Sequence, residues 1–130
     1  MPQTAFVAEF LGSTNMVPGV AKAFDGRNTQ VAAAGTEFTV RGEVAAPGAK
    51  VLLSLRPEAL RLADGTDGPL VQVRLALREF LGPVQRLHAT LPDGTRLRVS
   101  ALGGAAFDAL PGAPLVLAYD PAQIIAFPAP

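Results

Sequence analysis

Cysteine and tryptophan are absent from the 130 residues, and histidine and tyrosine occur once each. Without cysteine there are no disulfides and no thiolate metal sites, which is compatible with a cytosolic setting. One histidine and no acidic cluster leave nothing from which a zinc site or a nucleophile–base pair could be assembled. Charge of one sign is also lacking: 11 basic residues cancel 11 acidic ones, whereas dedicated nucleic-acid binders carry an excess of Lys and Arg. Single-strand binding by base stacking needs exposed aromatics, and these are scarce. No apolar run reaches the roughly 18 residues that cross a bilayer, and no basic segment followed by an apolar one opens the chain as a secretory signal. A Gly-x-x-x-x-Gly-Lys-Ser/Thr loop is missing as well. The only lysines, Lys22 and Lys50, sit in no glycine loop, and no acidic partner is placed to hold Mg²⁺. Catalytic, cofactor-binding and metal-binding residues are therefore expected to be none.

What is present is apolar and finely divided. Hydrophobic residues make 49% of the chain, and 13 Gly and 12 Pro fall between short apolar runs. Many short runs separated by turn residues mean an all-β sandwich or barrel, and the length fits one domain. Val51–Arg56 reads as a strand buried on both faces and ended by Pro57. Pro57 cannot continue a central ladder but suits the first position of a helical turn, where Glu58 meets exposed N–H groups. The strand thus delivers Arg56 and Glu58 to a rim of the domain, either as a simple corner salt bridge or as a contact surface for a partner.

In chain order, Thr4–Leu11 carries Phe6, Val7, Phe10 and Leu11 at helical spacing, too short to stand alone in water. Asn15–Phe24 is a strand with Pro18–Gly19 as a bulge or edge position. Asp25–Asn28 is a turn, Thr29–Ala33 and Thr36–Arg41 are strands, and Phe38 and Val40 face one way. Ala63–Pro69 is the expected link between halves. Leu70–Arg78 alternates, with Val71, Val73, Leu75 and Leu77 expected inward. A three-residue Pro92-Asp93-Gly94 loop pairs Ala89 with Leu97 and Leu87 with Val99, all inward. Arg86, His88, Arg96 and Arg98 then gather outward, beside Arg74 or Arg78 if the strands are neighbours. Phe107 and Leu110 are expected to anchor the Gly103–Gly112 loop, Leu115–Tyr119 and Gln123–Phe127 are further strands, and most phenylalanines are expected in the core.

Two landmarks recur. Glu9-Phe10-Leu11-Gly12 returns as Glu79-Phe80-Leu81-Gly82, and Pro47-Gly48 followed by VLLSLRP returns as Pro111-Gly112 followed by LVLAYDP. Matched landmarks in matched order point to a duplication, with halves at about 13–66 and 70–130.

The same residues carry a family resemblance. Phe6–Asn15 resembles the junction where the ATPase domain of an ABC importer's ATP-binding subunit passes into its C-terminal region. Leu55-Arg56-Pro57-Glu58 resembles the "RPE" signature of that region, the transport-associated oligonucleotide/oligosaccharide-binding-like (TOBE) domain. Arg78–Gly82 and Asp120–Phe127 fit its second half. The resemblance implies an OB-like β-barrel built from two related halves, with residues 1–12 a remnant of an ATPase-domain helix and linker, and 13–130 the TOBE-type domain. It implies a non-catalytic regulatory and assembly role in importers of polyamine, iron, phosphonate or sugar type. The implied partners are an upstream ABC ATPase domain, a second copy of itself, and permease subunits through the ATPase. No direct membrane insertion is expected; the implied location is the cytoplasm, peripheral to the inner face of the plasma membrane. Arg56, Glu58, Glu9, Phe10, Glu79 and Phe80 are the expected interdomain contacts. The alternative is a stand-alone module binding a small oxyanion through Ser13, Asn15, Arg86 and Arg98, since relatives in the wider family bind molybdate.

Overall fold

A computed structural model describes residues 14–63, 68–102 and 110–129. The Thr4–Leu11 helix, Glu9, Phe10, Ser13 and Phe107 lie outside the described residues, as does the middle of the Ala63–Pro69 link. Among the described residues ten strands follow one another: β1 (Asn15–Phe24), β2 (Asn28–Ala33), β3 (Thr36–Arg41), β4 (Lys50–Leu55), β5 (Arg61–Leu62), β6 (Leu70–Leu81), β7 (Val84–Thr90), β8 (Arg96–Leu102), β9 (Pro114–Ala118) and β10 (Ile125–Pro128). One 3-10 turn, Pro57–Ala59, follows β4, and another, Pro121–Gln123, follows β9.

The strands form two five-stranded antiparallel sheets, in the orders β10-β4-β1-β2-β3 and β5-β9-β6-β7-β8. The orders correspond term by term, so β1 to β4 of one half match β6 to β9 of the other. The short last strand of each half crosses over: β5 pairs with β9 and β10 with β4. The Pro-Gly loops match in detail, because Gly48 N–H donates to Ala21 O at 2.8 Å and Gly112 N–H to Leu75 O at 2.7 Å. The other sequence landmark does not match. Glu79-Phe80-Leu81 is the end of β6, the first strand of its half, whereas Glu9-Phe10-Leu11 precedes β1.

Alternating apolar positions build one core from both sheets. Val17, Val31, Phe38, Val40, Leu53 and Leu55 of the first half pack in one cluster with Val71, Leu75, Leu87, Leu97, Val99 and Leu117 of the second. The β7–β8 register is the expected one, Leu87 opposite Val99 and Ala89 opposite Leu97, all buried. Gly94 takes φ +94° in the three-residue loop, the left-handed conformation that suits glycine. Asp25 closes the β1–β2 turn by accepting Asn28 N–H at 2.7 Å and Arg27 N–H at 2.9 Å. Those two bonds, Asn28's first, hold its carboxyl below the usual range.

Four expectations need correction. The sheets do not close into a barrel: β3 and β8 remain edges, and side chains rather than a further strand meet their free N–H groups, as described below. Leu77 is half-exposed instead of inward, because a bulge between Leu75 and Leu77 advances the phase of β6 by one residue. Of the described phenylalanines only Phe38 is buried; Phe24 and Phe80 lie beyond bulges at strand ends that overrun the core, and Phe127 sits on the outer face of β10. Leu110 is 69% exposed and anchors nothing.

Pro18 meets the edge expectation locally, since β2 pairing begins only at Gly19. Gly19 is demanded by packing: a Cβ there would lie 2.8 Å from both Ala32 O and Val31 Cγ1. Backbone cannot yield as a flexible side chain can, so Gly19→Ala should cost about 2 kcal/mol in urea unfolding. An unchanged midpoint would show that β1 and β2 are further apart than described.

Candidate functional site

The Arg56-Pro57-Glu58 corner forms as its sequence dictates. β4 stops at Leu55, Arg56 stays extended (φ −70°, ψ 139°), and Pro57 opens the 3-10 turn with its ring buried. That turn packs against β8 of the other half, and the Pro121–Gln123 turn packs against β3. The corner is thus a repeated device that ties each half to the other's edge strand. In the second half Asp120 caps it by accepting Ala122 N–H at 2.9 Å; Arg56 offers no such cap. Arg56 Nη1 and Glu58 Oε2 are 3.9 Å apart, with side chains 48% and 65% exposed. Such a pair contributes little, and Arg56→Ala should change stability by less than about 0.5 kcal/mol, read by thermal unfolding. A larger loss would make the corner a structural brace instead of a contact residue.

The edges are closed by two side chains at corresponding places. Asn15, 5% exposed, donates from Nδ2 to Leu55 O at 2.8 Å and Arg98 O at 2.9 Å, and accepts Arg98 N–H at Oδ1 at 2.8 Å. Its amide imitates a missing strand on the free edge of β8. Arg98 returns a bond from Nη2 to Thr14 O at 2.9 Å, and Thr14 Oγ1 meets Ser54 Oγ at 2.9 Å. On the other edge, Thr39 N–H donates to Tyr119 Oη at 2.8 Å. Burial holds the Tyr119 phenol above its ordinary value, against the smaller opposite effect of the bond from Thr39.

Arg86, His88, Arg96 and Arg98 do share the outward face, His88 opposite Arg98 and Thr90 opposite Arg96. Arg74 joins them opposite Thr90, but the bulge turns Arg78 to the other side. His88 Nε2 lies 2.6 Å from Glu79 Oε1. Phe80 is 69% exposed at the end of β6. Of the residues expected at partner contacts, the structure leaves Arg56, Glu58 and Phe80 exposed and pairs Glu79 with His88; of the expected anion contacts, Asn15 has its amide committed to backbone. Among the described residues no three His, Asp or Glu side chains gather to hold a metal ion, and no helix is long and apolar enough to cross a membrane.

One surface was not foreseen. On the outer face of the first sheet, Phe127, Leu52 and Pro18 stand directly opposite one another across β10, β4 and β1; Ile125, Ser54 and Met16 form the next row. Ile125 is 48% and Phe127 37% exposed, Pro18 is exposed, and no charged residue stands in either row. Only the placement of β10 beside β4 brings them together, with Phe127 opposite Leu52 although they are far apart in sequence.

The TOBE domain family profile matches residues 53–127. This chain belongs to the TOBE domain family. It is 31% identical over 128 residues to the spermidine/putrescine import ATP-binding protein PotA of Rubrobacter xylanophilus, covering 92% of this chain and 33% of that protein. It is 32% identical over 129 residues to PotA 1 of Pseudomonas aeruginosa, covering 95% and 35%. The TOBE chain thus spans about a third of the length of these curated relatives. Its fold is similar to that of the cytoplasmic molybdate-binding protein ModG, with a TM-score of 0.74, 15% identity, and coverage of 88% of this chain and 96% of that one. At that identity the likeness establishes the OB-like fold of the TOBE domain and nothing finer.

Proposed function

We propose that this TOBE domain is a non-catalytic regulatory and assembly domain of the ATP-binding subunit of an ABC importer. Its work is to hold two such subunits together while their ATPase domains part and rejoin, and to pass regulatory signals to them. The relatives' names support a polyamine-type importer, and on this reading the domain works in the cytoplasm, next to the inner membrane face through the importer's permease. The charge-free face of Met16, Pro18, Leu52, Ile125 and Phe127 carries the reading. An association surface needs a centre depleted of charge with polar margins, and a rigid two-sheet core to present it. The occupant is a second copy, with Arg56 and Glu58 at the margin of the contact.

Sedimentation velocity tests this. The chain should associate reversibly into dimers, and Ile125→Glu with Phe127→Glu should return it to monomer without loss of folded content. A chain that stays monomeric up to about 1 mM, a concentration at which even contacts of about 4 kcal/mol are half-populated, would defeat the proposal. So would a double variant that associates unchanged.

A further inference from the structure

Each half carries an open groove on its outer face, in the same place, and the two are chemically different. The groove of the first half is lined by Pro18, Val20, Ala32, Thr36 and Lys50 and has a volume of about 570 Å³. That of the second half is lined by Gln72, Arg74, Thr90, Pro92, Pro114 and Val116, with about 550 Å³. Strand register aligns them residue by residue. In the first half one cross-strand row runs Lys50, Val20, Ala32, Glu37 over β4, β1, β2 and β3. The corresponding row of the second half runs Pro114, Arg74, Thr90, Arg96 over β9, β6, β7 and β8. The first row balances its own charge, with an apolar middle. The second holds two arginines with a hydroxyl between them and no acid.

We propose that the second-half groove is a binding site for a small organic anion, a phosphate or carboxylate group on an apolar body, held by Arg74 and Thr90 of its lining and by Arg96, which stands opposite Thr90 on β8 just outside the lining. Neighbouring strands are about 4.8 Å apart, so Arg74 and Arg96 stand about 10 Å apart on one face, with Thr90 midway. Arg74 is positioned from below: Nη1 donates to Gly112 O at 2.9 Å. That leaves most of its five N–H donors for an oxyanion, which a guanidinium binds bidentately. The side chains of Arg96 and Thr90 make no hydrogen bond or ion pair with other described residues, and neither described ion pair involves Arg74 or Arg96. The carboxylate nearest in sequence, Asp93, is occupied by Thr95 N–H at 2.9 Å. Gln72 adds an amide beside Val116, its register partner. Pro92, Pro114 and Val116 give apolar walls, too extended for a bare inorganic ion and suited to a hydrocarbon or ring. The site lies on the second sheet, away from the charge-free face of the first, so it does not depend on the assembly role.

Titrations followed by amide and arginine side-chain NMR resonances test it, with inorganic phosphate, phenyl phosphate and benzoate as probes. Phenyl phosphate or benzoate should bind saturably with shifts at Arg74, Thr90 and Arg96. Phenyl phosphate should bind about tenfold tighter than inorganic phosphate, a difference of about 1.4 kcal/mol. Arg74→Val and Arg96→Glu, which install the first-half residues at exposed positions, should each weaken binding about tenfold or more with an unchanged unfolding midpoint. Arg27→Ala, at the far hairpin, should bind as the parent does. The proposal is overturned by the absence of saturation at about 10 mM of either organic probe, by equal affinity for the organic probes and inorganic phosphate, or by retention of binding in Arg74→Val.

Discussion

Phe38→Ala should lower the unfolding free energy by about 3–5 kcal/mol. Phe38 has no exposed surface and is among the largest fully buried side chains. It projects from β3, an edge strand of the first sheet, and its ring centre lies 5.9 Å from that of Tyr119, with the planes tilted by 49°. The cavity left by truncation would be bounded by both halves. Neither can close on it alone, because Tyr119 Oη is held by Thr39 N–H at 2.8 Å and β3 is held by β2 along its whole length. A site that cannot collapse keeps the full cavity term beside the lost transfer energy. Set against the 5–15 kcal/mol typical of a domain, this is a large fraction. Urea unfolding followed by far-ultraviolet dichroism gives the loss, and it should appear as one shifted transition, since both halves share the core. A biphasic curve would mean that the halves fold independently. Phe80→Ala, at a 69% exposed position, is the control and should stay within about 0.5 kcal/mol.

How much of this was legible depends on how local the cause is. The strand expected over Val51–Arg56, its stop before Pro57 and the Pro92-Asp93-Gly94 hairpin follow from neighbours within a few residues, and all appear within a residue of where the pattern puts them. Leu77 shows the limit of periodicity. The alternation of β6 continues through it on paper, but a bulge after Leu75 reverses the face, and nothing in the letters Leu-Ala-Leu-Arg marks the extra residue. The exchange of β5 and β10 between halves is equally silent: each is a short segment whose partner is chosen by the whole fold. For that reason the face shared by Leu52 and Phe127 could not be seen, nor could the row joining Arg74, Thr90 and Arg96. Asn15 is visible in the sequence as a polar residue at the head of a strand and as a candidate anion contact. Its real partner on β8 is 83 residues away, a distance over which sequence pattern carries no geometric information.

Asn15→Ala should cost about 2–4 kcal/mol, although it removes only a small amide. The loss comes from what is left behind. Leu55 O, Arg98 O and Arg98 N–H would each lose the partner that Asn15 supplies at 2.8–2.9 Å. The position is 5% exposed, so water reaches these groups poorly, and each unmet buried group costs about 1–3 kcal/mol. Partial relaxation of the β8 edge should keep the total below the full sum. Asn15→Asp separates donor from acceptor. It keeps the acceptor for Arg98 N–H but sets a carboxyl against two carbonyl oxygens, which favours the protonated form and raises its pKa in the folded state above the unfolded value of about 3.9. Folding of that variant then takes up a proton. Its deficit relative to the parent should be smallest below about pH 4, should widen as pH rises through the raised folded value, and should be constant above it. Urea midpoints measured from pH 3 to pH 8 for parent and variant give the difference directly. A deficit independent of pH would mean that the carboxyl escapes to solvent, and therefore that the Asn15 amide does not bridge β1 and β8.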